Sequence, residues 1–103
     1  MYPVPRMSKI VIDEWSEELA ARFNCTAVTL REQSSRLLSF PPETIRVELM
    51  DDSQVEFKYA FFIVSETRKA IAVFTEHCGH HVFPYHEARV FREGLLSYEQ
   101  QGA

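Results

Sequence analysis

The strongest constraint on the fold of this chain is an alternation of apolar and polar residues that begins just after Pro41-Pro42. The alternation is interrupted at the acidic turn Asp51-Asp52-Ser53, resumes, and continues to about Val64. A period of two residues is typical of strands that bury one face. The apolar positions of one face are Ile45, Val47, Leu49, Val55, Phe57, Tyr59, Phe61 and Ile63. This half of the chain therefore predicts antiparallel β-structure.

Two hairpin registers follow if each pair of strands keeps its apolar residues on one face. A three-residue turn pairs Leu49 with Val55. A five-residue turn, Ser65–Lys69, pairs Ile63 with Ile71. With further strands near residues 80–83 and 88–92, we expect a meander of four or five strands.

The residues before Pro41-Pro42 have a helical pattern instead. Asp13 is a suitable N-cap for a helix that runs to about Asn24. Trp15, Leu19 and Phe23 recur every four residues and form one apolar stripe on this helix.

A second helix is predicted over residues 30–39, because Thr29 and Glu32 have the spacing of a capping box. The chain is therefore expected to be one α+β domain over residues 1–103, with one or two N-terminal helices packed on one face of a four- to five-stranded antiparallel meander. Residues 1–8 are expected to be a loose extension and residues 95–103 a tail.

Composition limits the classes of function. The chain has 103 residues and a net charge of -4, and it contains no run of Lys or Arg, so we expect no binding to nucleic acid. The longest apolar run, Tyr59–Val64, is too short to cross a membrane. Cys25 and Cys78 are too few for a disulfide framework, and no secretory signal precedes them, so we expect a cytoplasmic protein.

If helices cover only the first face of the predicted sheet, the second face meets water and is expected to be polar. The centre of this second face is apolar instead. This candidate interface consists of Ala60, Phe62, Val64, Ala72 and Phe74. Such a patch favours a partner, most simply a second copy of the chain in a homodimer, and a further protein partner is also compatible with it. The alternative is that the N-terminal arm or residues 95–98 cover it.

All four histidines and one cysteine lie close together in the sequence, around Gly79. Imidazole and thiolate are zinc ligands, so the candidate metal ligands are His77, Cys78, His80, His81 and His86. The spacing matches no established zinc pattern. Adjacent strand residues point to opposite faces, which separates His80 from His81.

The same segment also predicts a β-hairpin with Gly79 at its tip. A His77-Cys78-Gly79 turn pairs Glu76 with His80, whereas a two-residue turn pairs Glu76 with His81. We prefer the first register, because Cys is unfavourable at the first left-handed position of the shorter turn. A catalytic role for Cys78 needs an orienting group and an oxyanion site, which a hairpin tip does not offer.

The sequence therefore predicts a non-enzymatic interaction module that associates with itself, with no catalytic residues and no bound cofactor. The alternative hypothesis is a zinc-dependent sensory or hydrolytic protein that uses the histidine turn.

Overall fold

The chain folds into two short helices followed by seven antiparallel strands, in a computed structural model that describes residues 13–37, 39–76 and 79–99. The helices are α1, Ser16–Arg22, and α2, Ala27–Leu37. The strands are β1 Thr44–Leu49, β2 Gln54–Lys58, β3 Ala60–Ser65, β4 Ala70–Thr75, β5 Gly79–Pro84, β6 Ala88–Arg92 and β7 Leu95–Glu99. A single 3-10 turn, Tyr85–Glu87, connects β5 to β6. The predicted α+β class with N-terminal helices is confirmed.

The apolar stripe of α1 faces the core as its spacing predicts. Trp15 and Leu19 are buried, and Phe23 packs against the same cluster. The helix is shorter than expected, because its N-cap is Trp15 rather than Asp13. It ends before Asn24, whose φ of 56° is left-handed.

Helix α2 begins three residues earlier than predicted. The Thr29 amide donates to Thr26 Oγ1 at 3.1 Å, so Thr26 is the residue that caps the first turn. Leu30 is fully buried. The helix is kinked at Gln33, where φ is -126° and ψ is 29°.

The strands form two sheets rather than one meander. The order is β2-β1-β6-β7 in the four-stranded sheet and β3-β4-β5 in the three-stranded sheet. The chain leaves the first sheet for the second at Tyr59, whose φ of 53° bends what the alternation predicts as one continuous strand. After the second sheet, β6 returns to pair with β1, with Val47 opposite Val90.

The three-stranded sheet is the middle layer of the molecule. Its first face packs on the helices around Trp15, Leu19, Leu30, Phe61, Ala72 and Phe74. Its second face packs on the four-stranded sheet around Ile45, Val47, Phe57, Ala60, Ile71, Val73, Tyr85 and Val90. Each face of β4 is therefore covered, which explains why all six of its residues are buried.

The observed registers differ from the predicted ones. Val47 pairs with Val55, a slip of two residues that leaves the same side chains facing inward. Ile63 pairs with Ala72, a slip of one residue that exchanges the two faces of β4. The second slip arises because Lys69 is left-handed, with a φ of 53°, and shortens the turn to four residues.

Candidate functional site

The predicted interface residues do not form one exposed face. Ala72 and Phe74 are fully buried against the helices. Ala60 is fully buried on the opposite side, where Phe62 and Val64 pack beside it against the four-stranded sheet. The patch is thus covered within the chain, and self-association requires a different surface.

The histidines of β5 point to opposite sides of the three-stranded sheet, as alternation predicts. The His80 ring stacks on Phe74, with centroids 6.2 Å apart, on the helical side. The His81 ring lies 4.6 Å from Phe57 on the side of the four-stranded sheet. Both imidazoles therefore pack on aromatic rings of the core, and no ion can lie between them.

The hairpin that carries these histidines has neither of the two predicted registers. Thr75 pairs with Gly79 and Phe74 pairs with His80, whereas the two predictions pair Glu76 with His80 or with His81. The φ of Gly79 is 79°, which confirms that this glycine occupies a left-handed position.

The predicted zinc ligands are not brought together by the part of the chain that the structure describes. His77 and Cys78 lie outside it. His86 follows the far end of β5, about 20 Å from His80 along an extended strand. Within the described ranges, no three His, Cys, Asp or Glu side chains are placed to hold one metal ion.

An exposed edge strand, β7, is the surface that the sequence interpretation missed. We expected a tail here, but Leu95–Glu99 forms the outer strand of the four-stranded sheet. Leu95 is 73% exposed and Leu96 is 52% exposed. The Tyr98 ring packs against the core between the sheets. The pKa of Tyr98 is raised mainly by burial and, to a smaller extent, by the negative charges of Tyr85 and Glu66.

Two of the other sheet edges, β2 and β5, carry features that disfavour pairing with another chain. Strand β2 has the exposed charges Glu56 and Lys58, and β5 ends at Pro84. Strand β7 has no charge before Glu99, and its pairing with β6 is interrupted by a β-bulge at Ser97.

The outer edge of β3 faces a groove rather than open solvent. The groove has a volume of about 430 Å³ and is lined by Glu17, Glu18, Ala21, Val64, Ser65, Glu66, Thr67 and Arg68. Arg68 is held within this lining, because its guanidinium pairs with Glu18 at 3.4 Å and lies over the Trp15 ring at 4.6 Å. The groove therefore has a strand edge on one side and α1 on the other.

The outer face of the four-stranded sheet carries alternating charges. Arg89 contacts Glu48 at 3.2 Å and Glu99 at 3.6 Å, and Arg46 contacts Glu48 at 3.3 Å. The Arg46 guanidinium lies 4.3 Å from the centre of the Phe91 ring. Such partly exposed pairs add little stability, but they fix the polar surface that borders β7.

Comparison with models of protein families, with curated proteins and with solved structures finds no match to this chain. None of the helices in the described ranges has the length and apolar character needed to cross a membrane.

Proposed function

We propose that this chain is a small, non-enzymatic interaction module that associates with a second copy of itself through β7. The proposal rests on two features of one sheet edge: Leu95 and Leu96 are exposed, and no residue from Leu95 to Tyr98 has a charged side chain. An exposed apolar edge presents unpaired N–H and C=O groups, which are a template for another strand. Two copies related by a two-fold axis can pair β7 with β7 in antiparallel orientation.

The expected affinity is modest. Full burial of a leucine side chain contributes about 2 kcal/mol. The exposed fractions of Leu95 and Leu96 in two chains amount to about two and a half leucines, and an added strand covers part of this surface, because adjacent strand side chains point to opposite faces. Edge hydrogen bonds contribute about 1 kcal/mol each, and association costs several kcal/mol in lost freedom of motion. The association test is therefore centred on a Kd on the order of 0.1 mM, which corresponds to about 5.5 kcal/mol of binding free energy.

We place this association in the cytoplasm. The free thiol of Cys25 supports that compartment. In a reducing compartment the cysteines do not form disulfides between copies, so strand pairing alone holds the two copies together.

The proposal is tested by sedimentation velocity over a concentration series from about 10 µM to about 1 mM, chosen to bracket the expected Kd. The unmodified chain is expected to pass from monomer to dimer. Leu96→Lys is expected to remain a monomer, because each copy then presents a charged lysine on the shared edge.

Val82→Lys is the matched control, since Val82 is 49% exposed and lies on β5, an edge of the other sheet. It is expected to dimerise like the unmodified chain. A folded monomer at every concentration, or equal effects of the two lysine variants, would contradict the proposal.

A further inference from the structure

The backbone of β3 has a set of hydrogen-bonding groups that point away from its partner strand. The Glu76 amide donates to the Tyr59 carbonyl at 3.1 Å, so Tyr59 directs its carbonyl group towards β4. The Ala60 amide donates in the opposite direction, to the Glu43 carbonyl at 3.3 Å. Because this direction alternates along a strand, the N–H and C=O groups of Phe62 and Val64 point to the same outer edge as Ala60.

The Val64 end of this outer edge opens into the groove beside α1. Strand β3 pairs only with β4 within the described residues, and Val64 and Ser65 line the groove. An extended segment that enters the groove can therefore add to β3 as a further strand, with α1 beside it.

The charge of the groove indicates what kind of segment fits. Arg68 neutralises Glu18 through their contact at 3.4 Å. Glu17 and Glu66 are exposed, and neither is in an ion pair within the part of the chain that the structure describes. The groove thus has two carboxylates to offer to a basic partner, one on α1 and one on the turn after β3.

We propose that the groove between β3 and α1 binds an extended, Lys- or Arg-containing segment of a partner protein as an added strand. The backbone of Val64, which lines the groove, and of Phe62, further along the same strand edge, provides the hydrogen bonds, and Glu17 and Glu66 select basic side chains. The strand edge of the groove, β3, belongs to a different sheet from β7.

The test uses the uniformly ¹⁵N-labelled chain and the capped peptide Lys-Val-Thr-Val-Lys, with Glu-Val-Thr-Val-Glu as its acidic counterpart. The basic peptide is expected to shift the amide resonances of Phe62–Ser65 and Ala21, and the acidic peptide is not. Two further basic peptides carry N-methyl groups at alternate residues. Strand addition requires that one of them loses binding and the other retains it, because only every second amide faces β3.

Charge reversal gives the matched comparison. Glu17→Lys with Glu66→Lys is expected to weaken the basic peptide about tenfold. Glu32→Lys with Glu56→Lys makes the same change of net charge at other exposed positions and is expected to leave the affinity unchanged. The proposal is overturned by the absence of peptide-induced shifts, by equal binding of the acidic peptide, or by equal effects of the two double variants. Shifts of the β3 amides with protein concentration alone would overturn it in favour of a second copy as the occupant.

Discussion

Replacement of Phe74 by Ala distinguishes the observed register of β3 and β4 from the one that the alternation predicts. Phe74 is fully buried, with its ring centroid 5.3 Å from that of Phe61 and 6.0 Å from that of Trp15. Truncation of a buried Phe to Ala costs about 3–5 kcal/mol. A domain of 103 residues has a total stability of about 5–15 kcal/mol, so this loss is a large share of it.

The assay is thermal unfolding followed by circular dichroism at low protein concentration. A loss of about 4 kcal/mol lowers the Tm by roughly 15–30 °C in a domain of this size. Val82→Ala is the control, because Val82 is on the same side of the sheet but 49% exposed. It is expected to cost about 0.5 kcal/mol. If Phe74→Ala lowers the Tm no more than the control does, Phe74 is on an exposed face and the three-layer packing is wrong.

Three further predictions concern turns and titration. Lys69→Gly is expected to raise the free energy of unfolding by about 0.5–1 kcal/mol, because Lys69 has a φ of 53°; Glu66→Gly, in the same turn, is expected to lower it. Hydrogen bonds from the Ser53 side chain and backbone lower the pKa of Asp51, so Ser53→Ala is expected to raise that pKa in an NMR titration. The ionised Asp51 carboxylate contributes to the free energy of unfolding at neutral pH, and this contribution is lost as the pH falls through the lowered pKa of Asp51. Because burial raises the pKa of Tyr98, stability is expected to fall above about pH 10, and Tyr98→Phe is expected to reduce that fall in denaturation curves.

The sequence was sufficient for the class of the fold and for the inward side chains of several elements. The stripe of Trp15 and Leu19 and the alternation of Ile45 and Val47 mark positions that are buried in the structure. These patterns depend on local periodicity, which a single sequence displays directly. They predicted where the helices stop and the strands begin, near Pro41-Pro42.

The division into two sheets was not predictable from the same patterns. It depends on the left-handed conformation of Tyr59, and the exchange of faces in β4 depends on that of Lys69. Neither residue type favours positive φ, so the sequence carries no signal such as Gly or Asn at these positions. The return of β6 to β1, with Val47 opposite Val90, is a contact between distant parts of the chain that local periodicity does not specify.

The candidate surfaces were missed for a related reason. The predicted five-residue turn puts Phe74 on the wrong face of the sheet, and the resulting apolar patch then requires a partner, although the helices cover Phe74 and Ala72 and the four-stranded sheet covers Ala60. The true exposed edge begins at Leu95, directly after Gly94, whose φ of 80° allows the hairpin between β6 and β7. The Gly94 signal was present in the sequence and predicts this hairpin when it is considered together with Leu95 and Leu96.

Residue-resolved amide hydrogen exchange of the unmodified chain, measured below and above the expected Kd, tests the proposed association through β7 most directly. The account predicts that those amides of Leu95–Glu99 that point to the outer edge become protected at the higher concentration, while those of β2, the opposite edge of the same sheet, do not change. Unchanged exchange throughout β7, or protection that appears at β2 instead, would contradict it.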